Sequence, residues 1–355
     1  HHNARHDVAD GAFLPLDAFM RRDLAAHHPD AIRGENYLRG AWGEVNYHDP
    51  AGVRSGLYAI PSSVENRALV YNKDLLRRAG FVDARGEARP PRTWEELQTM
   101  AVQLTERDDQ HRLRQLGLTL AYGTTTPPLY LFGWMEGGRF LSDDGRTATF
   151  DDPRVVAALE RLTRVYDGLG GARAVYGFQF GQQRDDLDPF ILNQVAMKLE
   201  TFSTIPLSLA LYGQDVDYGV APMPLPAADV ARGRQPISYL SGWCYTIPAN
   251  SRHPEGAWEL IRFLSSRRAQ LIIAASENAQ AAGQGRTYIP AQNANLAVNR
   301  ELYEKYIAGN PRLPAKLRAA VAGFNALLDR SYPRPSTPVG QLMWNELTFA
   351  TQRAL

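Results

Sequence analysis

Between Tyr58 and Thr105 the alternation of apolar and polar positions is the most informative in the chain (YAIPSSVENRALVYNKDLLRRAG, then PPRTWEELQTMAVQLT). An apolar run entering at Gly56–Pro61 meets the polar patch Ser62-Ser63-Val64-Glu65-Asn66 and resumes as Ala68-Leu69-Val70-Tyr71. A strand buried on both faces reads as a near-continuous hydrophobic run. One that carries hydrogen-bonding groups in its middle is read here as crossing between two lobes, its centre lining a cleft. A short helical piece and Pro90-Pro91 follow. Thr93 and Glu96 then form a capping box in which Glu96 reaches back to the N-cap amide, with Trp94, Leu97, Met100, Ala101 and Leu104 at helical spacing behind it.

The same reading predicts a turn and a short helix over 11–24, with Phe19 and Leu24 inward, and a loop over 42–55. Leu116 to Tyr122 is a strand, residues 129–135 a short helix and 147–150 an edge strand. Asp152-Pro153 supplies an N-cap and a first-turn proline for a helix over 154–167. Residues 190–193 read as helical, 195–199 and 218–221 as strands, and 238–248 as a second crossing strand. Helices are expected over 255–266, 271–275, 302–307, 315–329 and 340–355. Phe19, Trp94, Trp258 and Phe263 are assigned to the core. Strands alternating with helices indicate an α/β protein.

Composition narrows the function classes. A chain of 355 residues exceeds one ordinary core and suits two lobes. The 44% hydrophobic and 22% charged content is that of a globular protein, and no apolar run reaches the length of a bilayer span. A net charge of +1 offers no footprint for nucleic acid. Cys244 is the only cysteine, which excludes an internal disulfide and a Cys-rich zinc site. Six of the eight His precede residue 49 without i, i+4 pairing, so no metal site is expected. Asp143-Asp144 and Asp185-Asp186-Asp188 lack a calcium-loop pattern and read as turns or caps. No cofactor is expected. The sequence opens His1-His2-Asn3 with no apolar segment of a signal sequence behind it.

Several of these segments resemble the extracellular solute-binding proteins of bacterial ABC sugar importers, the group that includes the maltose-binding protein. They are Ala59-Ile60-Pro61 leading to Leu69-Val70-Tyr71-Asn72-Lys73-Asp74-Leu75, then Pro90-Pro91-Arg92-Thr93-Trp94-Glu95-Glu96-Leu97. Asp152-Pro153, Gln194-Val195-Ala196-Met197 and Asp217 through Pro224 follow in family order, then Ser241-Gly242-Trp243 and the helix Ala257 through Leu264. The resemblance implies a type II periplasmic-binding-protein fold: two α/β lobes, each a mixed sheet flanked by helices, hinge-linked around a cleft. It places residues 1–64 and 242–287 in an N-terminal lobe and 65–241 and 288–355 in a C-terminal lobe. Relative to that pattern, the first strand–helix–strand unit and a last stretch of helix are not found in the chain.

A sugar needs aromatic plates for its C–H faces and carboxylates, amides or guanidinium groups for its hydroxyls. The resemblance places Glu65 where the maltose-binding protein has a sugar-contacting glutamate, with Ser62, Ser63 and Asn66 sharing its patch. Trp243, after Gly242, falls where family members stack an aromatic on sugar, and Trp344, nine residues after Pro335, matches an aromatic subsite. A Gly-x-Trp expected after Ala196-Met197 is replaced by Glu200-Thr201-Phe202-Ser203; Phe202 or Glu200 stands in, and the departure counts against a maltose-like ligand. Thr125, Thr126 and Tyr130 fall on another cleft loop, and Arg286 and Tyr288 near the hinge. Trp42 and Trp134 are read as structural.

The function implied is that of a non-catalytic receptor. It would bind a carbohydrate between the lobes and deliver it to ABC permease membrane subunits by hinge closure, as a monomer, in the periplasm or tethered outside the membrane. The runners-up are a receptor for an anionic solute such as a glycerol phosphate diester, to which Arg67 or Arg286 would contribute, and a glycoside hydrolase with Glu65 and Glu200 as its carboxyl pair.

Overall fold

A computed structural model describes residue 8 and residues 10–48, 55–120, 129–180, 188–335 and 337–355. Among these residues ten strands form three sheets: β1 (Asn46–His48), β2 (Ser55–Leu57), β3 (Ile60–Glu65), β4 (Arg67–Asn72), β5 (Glu106–Arg107), β6 (Leu113–Thr119), β7 (Val195–Thr201), β8 (Tyr218–Ala221), β9 (Ser238–Tyr245) and β10 (Ser331–Pro333). β1 and β2 pair alone, a three-stranded sheet runs β10-β9-β3, and a five-stranded sheet runs β5-β6-β7-β4-β8. The last is mixed, because β6 and β7 are parallel while β4 is antiparallel to both β7 and β8.

Two main hydrophobic cores correspond to two bodies. The larger is built on the five-stranded sheet and takes Ala68 to Leu76, Trp94 to Leu104, Val155 to Val175, Val195 to Leu225, Tyr239 and Phe324 among others. The smaller takes Leu16, Leu38, Ala41, Val45, Ile60, Val64, Leu240, Ile247, Trp258 and Ile261, with Ala294 and Leu328 arriving from later segments. Val64 and Ala68 lie in different cores, and the adjacent Tyr239 and Leu240 turn from opposite faces of β9 into the larger and the smaller core.

Local chemistry explains most element ends. Asp152 accepts from the Arg154 amide at 2.9 Å and Pro153 opens the helix Pro153–Gly168. Thr93 Oγ1 accepts from the Glu96 amide at 3.2 Å. The other half of the expected capping box is displaced by one residue: Glu96 takes the Arg92 amide at 2.7 Å and the Arg89 guanidinium at 2.7 Å. Ser266 is extended (φ −72°, ψ 149°) and caps Ala269 through its hydroxyl, which divides Pro254–Ser265 from a helix over Arg267–Gly283. That second helix is much longer than the turn or two expected at 271–275.

Other expectations change as well. Instead of a loop from residue 42, a helix over Arg39–Val45 leads into β1, because Ala41 and Val45 bury against the smaller core. Residues 147–150 make one isolated bridge, Leu141 to Ala148, rather than a strand. Residues 190–193 are turns, ended by Asn193 in the left-handed region (φ 56°). β10 was unforeseen. Phe263 is 43% exposed, since the buried face of its helix runs through Trp258 and Ile261 and Phe263 projects elsewhere. Phe19 and Leu24 are half-buried, and the fully buried residue of their helix Asp17–Ala25 is Asp23, while Phe19 stacks 5.5 Å from Trp258.

Candidate functional site

The sheet β10-β9-β3 links the two bodies, and its alternation decides what each face carries. Val64 pairs with Gly242, and Val64 and Leu240 turn into the smaller core. On the other face Glu65 pairs with Ser241, which has Tyr239 two residues before it and Trp243 two after. Tyr332 of β10 pairs with Tyr239 and so shares that face. Glu65, Tyr239, Ser241, Trp243 and Tyr332 thus form one polar and aromatic surface on the side of the sheet away from the smaller core.

The rings on this surface differ in exposure. Trp243 is 69% exposed and has no ring partner among the described residues, whereas Tyr239 is buried. Trp134 stacks on Tyr239 with ring centres 6.0 Å apart and planes 15° apart, and lies 6.5 Å from the half-exposed Tyr332. Behind them Tyr130 sits 5.7 Å from Trp134 and 6.2 Å from Trp344. The Arg334 guanidinium lies 4.8 Å from the Trp344 ring centre. Burial pushes the Tyr130 phenol up to about 12, so it remains a neutral donor at physiological pH. Trp134, read from sequence as structural, is therefore part of this surface. No periodicity could have shown that, because its helix Leu129–Met135 is buried nearly all round.

Polar groups cluster at the β3 bulge. The register shifts between Pro61 and Val64, which leaves Ser62 and Ser63 opposite the end of β9. Ser62 Oγ donates to the Trp243 carbonyl at 3.1 Å, and Ser63 bridges to Asn293 on the other edge of β3. Gly242 is required here by protein packing: a Cβ would lie 2.2 Å from the Ser63 carbonyl oxygen and 2.9 Å from Val64 Cα. The close approach that the glycine permits is thus to β3 backbone.

The remaining candidates are distributed more widely. Asn66 is fully buried, its amide nitrogen donating to the Phe324 carbonyl at 2.7 Å. Phe202 is buried edge-on against Phe324. Glu200 is buried in a charged cluster with Lys198 (3.4 Å), which also binds Asp188 (2.6 Å). Burial raises the Glu200 pKa and Lys198 opposes it, with the rise winning. The sequence signal for this cluster is a lysine and a glutamate, Lys198 and Glu200, two residues apart in a mostly apolar strand. Tyr288 donates to Glu277 at 3.0 Å and packs edge-on to Tyr306, and Arg286 is exposed. Trp42 packs against Tyr37 and over Gly34. Thr125 and Thr126 lie outside the described residues. No group of three or more His, Cys, Asp or Glu among the described residues could hold a metal, and no described helix is long and apolar enough to cross a membrane.

Comparison with known proteins agrees with this architecture. A protein of Deinococcus radiodurans described as a "Probable ABC transporter-binding protein" is 24% identical over 236 residues, covering 64% of this chain and 53% of the relative. The chain thus spans about half the length of the curated relatives it matches. A solved structure of CpMnBP1 with mannobiose bound superposes with a TM-score of 0.71 at 22% identity, over 99% of this chain and 77% of that one. An ABC transporter solute-binding protein from Thermotoga lettingae TMO, bound with alpha-D-tagatose, gives 0.69 at 22% identity, over 100% and 78%. These likenesses establish the two-lobed solute-binding fold. The family model described as "Bacterial extracellular solute-binding protein" matches residues 3–271, and the chain belongs to that family.

Proposed function

We propose that this chain is the non-catalytic receptor of an ABC importer, binding a carbohydrate on the linking sheet and releasing it unchanged to permease subunits in the membrane. The observation that carries the reading is the pairing of Glu65 with Ser241 on the same face as the exposed Trp243. A carboxylate and a hydroxyl suit the rim of a sugar, and an unpartnered indole suits its C–H face. Neighbours solved with mannobiose and with tagatose support the ligand class. Ser62, Ser63 and Gly242 would shape the β3–β9 junction, and Tyr130, Trp344, Asn66, Phe202, Glu200, Thr126, Arg286 and Tyr288 complete the proposed set. Of these, the buried ones act as support behind the surface in the present arrangement.

The lobes we propose are residues 1–64 and 242–287, and 65–241 and 288–355. The core change between Val64 and Ala68 supports the first crossing, β9 serves the larger core with Tyr239 on one face and the smaller core with Leu240 on the other, and Ala294 and Leu328 mark short returns to the smaller core. Hinge closure over the ligand would act through these connections. A receptor is favoured over a glycoside hydrolase because Glu200, the second carboxyl group a hydrolase would use, is engaged by Lys198. The location consistent with the family is the periplasm or the outer face of a membrane, and the protein would act as a monomer.

The test is a thermal-shift and tryptophan-fluorescence screen of the chain against maltose, mannobiose, tagatose and glycerol phosphate diesters, with nitrophenyl glycosides as a hydrolysis control. Saturable stabilisation by a sugar without turnover is the expected result. A flat response to every sugar, or release of nitrophenol, overturns the reading.

A further inference from the structure

Beside this surface stands an arginine with no carboxylate at ion-pair distance among the described residues. Arg67 Nη1 donates to Ser241 Oγ at 3.2 Å and to the Glu65 carbonyl at 3.4 Å, and its guanidinium carbon lies 5.2 Å from the Tyr239 ring centre. All three partners are neutral. Several enclosed cations hold a carboxylate: Lys198 has Asp188 at 2.6 Å, Arg262 has Asp23 at 2.8 Å and Arg161 has Glu136 at 2.7 Å. Among the described residues Arg67 has no such pair, and Glu65 and Glu200 act on it only through longer-range charge. Burial is the largest influence on it and weakens its hold on its proton, as expected of a partly desolvated cation.

A guanidinium presents five donors in a fork that matches the geometry of a carboxylate or phosphate. Arg67 uses one nitrogen for both of its neutral contacts, so donors remain for an incoming anion. We propose that the sugar bound on this face carries an anionic oxygen group, a carboxylate or a phosphate, which Arg67 receives while Glu65, Ser241 and Trp243 hold the hydroxylated ring. The proposal rests on the carbohydrate reading above and narrows it. The two neighbouring charges set polarity: ligand hydroxyls point to Glu65 and the acid points to Arg67.

The experiment is isothermal titration of the full chain with matched ligands: maltose and mannobiose, their uronic-acid counterparts, and glucose against glucose 6-phosphate. The acidic member of a pair should bind about tenfold or more tightly than the neutral one, in keeping with a charge-assisted hydrogen-bonded pair. The advantage should shrink as salt rises. Arg67→Met should bring the acid down to the level of its neutral counterpart, and Arg67→Lys should keep part of the preference. Preference for the uronates alone assigns a carboxylate, and preference for glucose 6-phosphate alone assigns a phosphate. If neutral sugars bind as tightly as their acids, or Arg67→Met retains the preference, the proposal falls while the carbohydrate reading stands. If no sugar of either kind binds, both fall. Should Arg67→Met not fold, the wild-type comparison and Arg67→Lys still decide the question.

Discussion

Glu65 of β3 stands directly opposite Ser241 of β9 in an antiparallel pair, so two polar interruptions far apart in the sequence become one patch. Directly opposed side chains in such a pair have Cβ atoms about 5 Å apart, close enough to grip the same small molecule. Glu65→Gln keeps the shape and removes the charge. A hydrogen bond to a charged group contributes about 1.5–3 kcal/mol, so sugar affinity should fall about ten- to a hundredfold by titration calorimetry. An unchanged affinity would remove Glu65 from the site.

Trp243→Ala separates binding from stability. With 69% of the residue exposed, the substitution should move the melting temperature little, as surface changes are usually within about 0.5 kcal/mol. Loss of a stacking plate should weaken sugar binding about two- to tenfold, given about 0.5–1.5 kcal/mol for ring stacking beyond area burial, and should abolish any fluorescence change that this indole reports. A large drop in melting temperature would mark it as a structural residue instead.

Gly242→Ala should do the opposite. The added methyl would sit 2.2 Å from the Ser63 carbonyl, a backbone atom that cannot swing aside. The β3–β9 pair must then separate, at a cost of about 2 kcal/mol or more on the scale of overpacked sites. Chemical denaturation should show the loss even without ligand.

Lys198→Met strands Asp188 and Glu200 in the interior. Removing one partner from a buried charge cluster typically costs about 3–5 kcal/mol. Adding Glu200→Gln to that variant should recover part of the loss, because Glu200 is already pushed toward its protonated form by burial. A single variant as stable as the wild type would show that the cluster is not held together as described.

Asp23 gives a pH signature. Burial alone would raise its pKa, but the Arg262 and Trp258 hydrogen bonds, at 2.8 and 2.7 Å, outweigh it and hold the value below the usual 3.8. The folded state therefore holds this proton less tightly than the unfolded state. Its contribution is complete above the usual carboxylate value and is lost as pH falls through the lower folded value. Asp23→Asn should be less stable than wild type at neutral pH, and the gap should narrow in acid. A gap that stays constant down to pH values below the carboxylate range would contradict the assignment.

Some of this was legible in the chain because it depends on near neighbours. Asp152 and Thr93 cap the helices they were expected to cap, since a cap needs only a side chain and an amide two or three residues on. The Glu96 carboxylate went to the Arg92 amide rather than to the N-cap because Arg89, folded back from the preceding loop, supplied a second donor beside it. The helix Arg39–Val45 was missed because its short apolar stripe, Ala41 and Val45, has meaning only against Leu16, Leu38 and Ile60 of the smaller core. β10 was missed because three residues, Ser331 to Pro333, carry too little period to register, and their strand exists through pairing with β9.

The division at the site is the same. The sequence alone determined that two strands, one through Ser62 to Asn66 and one through Ser238 to Tyr245, break their apolar runs with polar and aromatic residues. It did so because strand alternation and interrupted hydrophobicity are properties of adjacent positions. Tertiary structure decided that Glu65 meets Ser241, that Trp134 joins Tyr239 while Trp243 stays open, that Tyr130 and Glu200 withdraw into the interior, and that the direct contacts of the Arg67 guanidinium among the described residues are neutral. Period-two alternation assigns a residue to one of two faces, but exposure and charge balance are set by whatever chain arrives from elsewhere to cover that face.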